Sequence, residues 1–225
     1  MTTVMPVHLL SQVPYFAGLD QAHLLILAGT AIPRRYEAGQ IVLLQGEPCT
    51  GMHMIETGWL RSLKSSPSGR EQTLRVVGPG EVFGDFTMFA ATPNASSVVA
   101  LERAQVWFIP AAAVLGLLEQ PAFARLVVQT LAGRALQLLS LVEDLSLRTV
   151  TARLARLLVE NASGDVVPRR RWATQGEMAN RLGTVPDVLS RALRTLAVEG
   201  LIEVDRHQIR ISNRPGLEAK ATVDA

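Results

Sequence analysis

Residues 174–202 read TQGEMANRLGTVPDVLSRALRTLAVEGLI, and this stretch constrains the fold more than any other. Two amphipathic segments flank Gly183-Thr184-Val185, and Pro186 stands where a second helix can begin. Helical spacing puts Met178, Ala179 and Leu182 on one buried face and Leu189, Ala192, Leu193 and Leu196 on the next. Asp187, Val188, Ser190 and Arg191 are then predicted to face outward from the first turns of the second helix. Only those turns of a recognition helix reach base edges in a major groove. Two core helices joined by a glycine turn would share part of this pattern, so the flanking sequence matters. Leu201–Val204 and Gln208–Ile211 read as short strands around a tight Asp205-Arg206-His207 turn. Helix-turn-helix followed by a hairpin is a winged-helix order, and it predicts a sequence-specific DNA-binding element.

The preceding half has a different texture. Ile41–Leu44, Met52–Ile55, Leu60–Leu63, Gln72–Val77, Val82-Phe83 and Val98–Ile109 are strand-like runs separated by glycines at 39, 46, 58, 69, 78, 80 and 84. Turn signals about 8–12 residues apart predict a small antiparallel barrel or sandwich. Gln21–Gly29 is predicted to be a helix packed on it through Leu24, Leu25 and Ala28.

With 225 residues the chain can build two cores. From Leu147 onward it holds 13 Lys and Arg against 9 Asp and Glu, and before that 9 against 11. A basic C-terminal part beside a mildly acidic one suits a nucleic-acid module joined to another domain. The single cysteine, Cys49, cannot form an internal disulfide or supply an iron–sulfur cluster. No uninterrupted apolar run of about 18 residues predicts a membrane span, and no secretory signal pattern opens the sequence. A cytoplasmic setting is expected. No nucleophile triad, metal-spaced histidine cluster, Walker loop or dinucleotide fingerprint predicts an enzyme; Glu81 and Asp85 in a glycine-rich turn are no catalytic pair.

Pro121–Val150 is predicted to form one long helix. Positions 124, 128, 131, 135, 138, 142, 145 and 149 are Ala, Val, Leu, Ala, Leu, Val, Leu and Thr, a heptad seam apolar at seven of eight places. Leu126, Val127, Leu139 and Leu141 lie off that seam, where they could pack on the helix's own domain. Asn161–Arg171 reads as a polar loop. Its Arg169-Arg170-Arg171 run serves either phosphate contact or a solvated surface.

Three segments together carry a family resemblance: YEAGQIVLLQGEP (36–48), MHMIETGWLRSL (52–63) and GPGEVFGDFTMFAATPNASSVVA (78–100). They resemble the cyclic-nucleotide-binding β-roll. With the long helix and winged helix behind them, nearly the whole chain resembles the CRP/FNR superfamily of bacterial transcription regulators. The resemblance implies an α+β fold: a jelly-roll-like sensor β-roll over 1–120, a dimerisation helix over 121–146, and a winged helix-turn-helix over 147–225. It also implies a homodimer on a palindromic double-stranded operator, with RNA polymerase as a partner. Val128, Leu131, Ala135, Leu138, Val142 and Leu145 would then form the dimer interface.

Asp187-x-x-Ser190-Arg191 resembles the Glu-x-x-Ser-Arg pattern of the FNR-like branch, whose half-sites resemble TTGAT. Arg191 can grip guanine O6 and N7 with two hydrogen bonds, Asp187 can accept from cytosine, and Val188 can meet a thymine methyl. Ser190 can donate or accept. Asp187 is one methylene shorter than Glu, and Thr184-x-x-Asp187 alternatively resembles a capping box. Thr174 and Gln175 are candidates for backbone contacts that fix register.

Cyclic-nucleotide binders of this superfamily grip phosphate with an arginine and the ribose with a glutamate. Here Gly84 is kept, Asp85 stands at the glutamate position and Asn94 at the arginine position. Losing that cation argues against cyclic AMP. A small ligand lined by Phe83, Gly84, Asp85, Asn94, Ala95, Ser96 and Gln137 is one alternative, and a sensor pocket with no ligand is another. Haem, with His8, His23, His53 or Cys49 as ligand, would make the chain a gas or redox sensor. A cyclic-nucleotide-binding subunit acting on a protein partner is a further reading.

Overall fold

The computed structural model describes residues 4–67, 69, 71–168, 174–205 and 208–222. Two compact units emerge, Met1–Lys64 with Leu74–Leu136, and Ser65–Thr73 with Gln137–Ala225.

The first unit opens with α1 (Val7–Ser11), a 3-10 turn (Pro14–Phe16) and α2 (Gln21–Thr30), capped where the Asp20 side chain accepts from the His23 amide. The strands follow: β1 (Ile32–Tyr36), β2 (Ile41–Leu43), β3 (Gly51–Thr57), β4 (Leu60–Ser65), β5 (Glu71–Val77) and β6 (Val82–Phe83). Next come α3 (Asp85–Phe89), β7 (Ser97–Ala100), β8 (Ala104–Pro110), α4 (Ala111–Leu115), a second 3-10 turn (Gly116–Glu119) and α5 (Pro121–Leu147). One sheet has the order β1-β8-β3-β6 and the other β2-β7-β4-β5.

Strand β3 is buried on both faces because it separates two cores. Ile55 joins Leu60, Phe83, Val98 and Val106 inside the roll. Met52 and Met54 join Trp107, Ile109, Phe16, Leu27, Phe123 and Val127 under the helices. Fully burying one such side chain stabilises by about 1.5–3 kcal/mol, so this double layer holds the helices to the roll. A register shift between Ile55 and Thr57 accompanies a Glu56 carboxylate that accepts from the Trp107 indole at 2.8 Å and from Gln105 at 3.1 Å.

The second unit includes the C-terminal part of α5 and continues with α6 (Val150–Asn161), β9 (Val166–Pro168), α7 (Gln175–Leu182), α8 (Pro186–Val198), β10 (Ile202–Val204), β11 (Gln208–Ile211) and α9 (Arg214–Lys220). Leu154, Leu158, Leu182, Leu189, Leu196, Ile202, Ile209 and Leu217 form its core. The wing sheet has the order β10-β11-β9.

Several expectations are corrected. Leu25 is exposed, and α2 is buried instead through Leu24, Leu27 and Ala28. The Val98–Ile109 run is two strands, β7 and β8, broken at residues 101–103. The supposed 161–171 loop contributes β9, because Val166 and Val167 pair with Arg210 and Ile209. Arg169–Arg171, like Arg206 and His207, lie outside the described residues.

The long helix ends at Leu147, not Val150. Thr149, the last position of the heptad reading, caps α6 by accepting from the Ala152 amide at 3.2 Å. Ionic contacts fasten this junction: Asp144 takes Arg148 and Arg156, Arg156 also reaches Ser140 Oγ at 2.8 Å, and Arg148 Nε donates to the Ala221 carbonyl at 3.2 Å.

The positions of the heptad differ in exposure. Leu131 is half-buried against the core of its own unit, whereas Leu139 is 65% exposed. Val128, Leu138, Val142 and Leu145 are exposed large apolar residues on the same helix, and Ala135 is exposed beside them. By length and composition alone, Pro121–Leu147 is apolar enough to cross a membrane, which counting uninterrupted apolar runs had missed.

Candidate nucleic-acid interface and sensor site

Helix α7 begins with a side-chain cap: Thr174 Oγ1 accepts from the Glu177 amide at 3.2 Å. Gln175 is exposed at the first helical position. The helix ends on Gly183, whose φ of 65° is the left-handed conformation that lets its amide reach the Ala179 and Asn180 carbonyls. Three residues later α8 starts on Pro186, whose missing N–H and fixed φ suit a first helical position.

The proposed Thr184-x-x-Asp187 capping box is not formed. The residue at the cap is Val185, with no side-chain hydrogen bond, and Asp187 sits in the first turn. There its charge favours the positive end of the helix dipole while the side chain stays exposed.

Leu189, Ala192, Leu193 and Leu196 bury one face of α8. The opposite face carries Asp187, Arg191, Arg194 and Val198, all exposed. Val188 and Ser190 are half-buried on the flanks, so the outward reading of those two is corrected to an edge position. Among the described residues no carboxylate is paired with Arg191 or Arg194. Two guanidinium groups thus stand on one helix face with Asp187, neither of them paired with a carboxylate among the described residues. Arg194 was missed in the sequence reading, although its spacing of three from Arg191 places it on that face.

In the β-roll, Gly84 has φ +81°, and a Cβ there would stand 3.1 Å from the Gly51 carbonyl oxygen. Only glycine meets both demands, and it turns the chain from β6 into α3. Asp85 follows, 1% exposed. Its Oδ2 accepts from the Tyr15 hydroxyl and from Arg134 Nη1. Arg134 Nη2 donates to the Val82 carbonyl at 3.3 Å. The guanidinium also lies over the Tyr15 ring at 5.7 Å and the Phe86 ring at 5.6 Å. Burial, reinforced by the Asp85 charge, raises the Tyr15 phenol above its ordinary range, so it remains a donor. Neither Tyr15 nor Arg134 was singled out from the sequence. They lie 70 and 49 residues from Asp85 and have no motif around them.

Asn94 closes a turn, and its buried Oδ1 has no hydrogen-bond partner among the described residues. Its amide donates to the Glu47 carbonyl, its carbonyl accepts from the Gly46 amide, and Nδ2 donates to the Leu44 carbonyl at 3.3 Å. Phe83 is buried and stacks on His53 with centroids 4.9 Å apart. Ser96 Oγ lies 2.7 Å from Ser62 Oγ, Ala95 is exposed, and Gln137 is exposed on α5. Burial lowers His53 to about 4, so the ring is neutral at physiological pH.

Of the other candidate haem ligands, His8 is exposed, and His23 contacts Asp20 at 2.8 Å. Cys49 Sγ lies 3.4 Å from the Gly84 carbonyl oxygen. Among the described residues no group of three or more His, Cys, Asp or Glu could hold a metal ion.

Comparison with known proteins agrees with this division. Residues 33–121 match the cyclic nucleotide-binding domain and residues 152–220 the Crp-like helix-turn-helix domain. The chain is 30% identical over 217 residues to "Probable transcriptional regulator flp" of Lacticaseibacillus casei, covering 92% of this chain and 94% of that one. It is 24% identical over 220 residues to a CRP-like cAMP-activated global transcriptional regulator of Mycobacterium tuberculosis, covering 95% and 98%. The solved structure of FixK2 from Bradyrhizobium japonicum shares the fold with a TM-score of 0.76 at 22% identity, over 87% of this chain and 99% of that one. A nucleotide-type sensor roll, a long helix and an arginine-bearing recognition helix in this order make the chain a member of the CRP/FNR family of DNA-binding transcription regulators.

Proposed function

We propose that the chain acts as a homodimer that reads a palindromic operator through two copies of α8. The observation that carries this is the exposed pair Arg191 and Arg194, neither held by a carboxylate among the described residues, opposite a fully buried face. Arg191 lies nearer the helix start and is the base reader, bidentate to a guanine. Asp187 and the flanking Val188 and Ser190 refine the choice of neighbouring bases. Arg194 lies three residues further from the groove entry and contacts phosphate. Thr174 and Gln175 hold the backbone, which fixes register without reading sequence.

Exposed apolar residues of α5 support the dimer. Val128, Ala135, Leu138, Leu139, Val142 and Leu145 pair with their symmetry mates, while Leu131 serves its own unit. Twofold symmetry then spaces the two recognition helices about one DNA turn apart. The dimer works in the cytoplasm with RNA polymerase, by binding rather than catalysis.

The sensor roll receives a small molecule through Phe83, Gly84, Ala95, Ser96 and Asn94. Asn94 offers no charge for a cyclic phosphate, and Asp85 is already bound to Arg134, so cyclic AMP is not the effector. This sets the chain apart from the relatives named as cAMP-activated.

Gel shifts on DNA selected from random duplexes, run at two salt concentrations, test the reading. Retention of the selected palindrome over random DNA at the higher salt, by a protein of dimeric native mass, is expected. Uniform loss on both DNAs would reduce the binding to bare electrostatics.

A further inference from the structure

We propose that Tyr15, Asp85 and Arg134 form an internal clasp that holds the first half of α5 on the β-roll without a small molecule. The effector-free protein is then the DNA-binding form, and a signal acts by opening the clasp. The inference rests on the DNA-binding reading above.

The clasp joins three separate elements: the first 3-10 turn, the opening residue of α3 and the middle of α5. Every bond in it comes from the chain itself. Asp85, only 2% exposed at its side chain, receives both a phenol and a guanidinium on Oδ2. Arg134, 11% exposed, spends its other terminal nitrogen on the Val82 carbonyl and rests between the Tyr15 and Phe86 rings.

A buried carboxylate without a cation, or a buried guanidinium without an anion, is strongly disfavoured. The two groups therefore move together: either the clasp is made and α5 is fixed, or both charges reach water and α5 is released. A ligand that needs Asp85 as an acceptor, or Arg134 as its cation, must first break this pair. Such a ligand would select the released state. Asp85 is thus a positioning residue for the long helix and not a group that greets the effector.

The test uses full-length protein whose native mass shows no retained small molecule, and palindromic DNA selected from random duplexes. With nothing added, this protein is expected to prefer the selected DNA at least tenfold over random DNA. Arg134→Lys, which keeps the charge but loses the fork, should weaken that preference about tenfold. Tyr15→Phe, the milder change, should weaken it about threefold. In both, dimer mass should be kept, and amide exchange should quicken over residues 121–136.

If the effector-free protein shows its preference only after cyclic AMP or a small-molecule extract of cells is restored, the clasp is overturned and the regulator reading stands. A small molecule retained in the native mass of the DNA-binding form overturns it likewise. Variants with faster exchange but unchanged DNA preference would reduce the three residues to a fold support. No preference with or without extract overturns the regulator reading and the clasp together.

Discussion

Arg134 and Arg191 are the same side chain put to opposite uses. Arg134 sits in the sensor unit, 11% exposed at its side chain, with its charge given to a carboxylate of the same chain. Arg191 stands exposed on α8, and among the described residues no carboxylate is paired with it. A guanidinium closed on an internal partner holds a structure together. One kept in water and left unpaired is available to an outside ligand. The difference teaches that in this chain charge marks a recognition surface only where the fold leaves it unanswered.

Four changes would break or sharpen that contrast. The largest effect belongs to Asp85→Ala. Removing one member of a buried pair strands the other, and a loss of about 3–5 kcal/mol in sensor stability is expected. Urea denaturation checks it, and an unchanged midpoint would show that Arg134 finds water in the native state.

Next comes pH. His53 titrates near 4 in the fold and near 6.5 in an unfolded chain. Its contribution is intact above about pH 6.5 and is lost as pH falls towards 4. That amounts to about 3 kcal/mol once both states are protonated. His53→Gln should flatten the acid limb of the melting profile. An acid limb of unchanged depth would locate the sensitivity elsewhere.

Arg191→Ala should cost about 1–3 kcal/mol on the selected palindrome and little on random DNA. Equal losses on both would make it a phosphate contact. Smallest is Thr174→Ala, which removes the cap of α7 for about 1 kcal/mol. Calorimetry should show the loss in the C-terminal unit alone.

The recognition half was largely legible because its information is local. Leu182, Leu189, Leu193 and Leu196 repeat at helical spacing, Gly183 and Pro186 mark the turn, and Arg191 follows from their phase. Errors arose where a position lay between faces, as for Val188 and Ser190. They arose also where two signals competed, as when Pro186 set the helix start and displaced the Thr184 box. In the sensor half, glycine punctuation marked the strands but not which residues would meet. Leu131 and Leu139 are chemically identical, and only contact with the roll core assigns one inward.

From its residues alone the chain determined a β-roll followed by a long helix and a winged helix, with Arg191 outward on the recognition helix. Periodicity, turn chemistry and capping act within a few positions, so they can be read along the string. Tertiary structure alone decided that Asp85 would meet Tyr15 and Arg134, that Asn94 would close a turn, and that the apolar stripe would shift towards Leu139. Those outcomes depend on partners tens of residues away, brought together by burial of the double core around β3, and no local spacing encodes them.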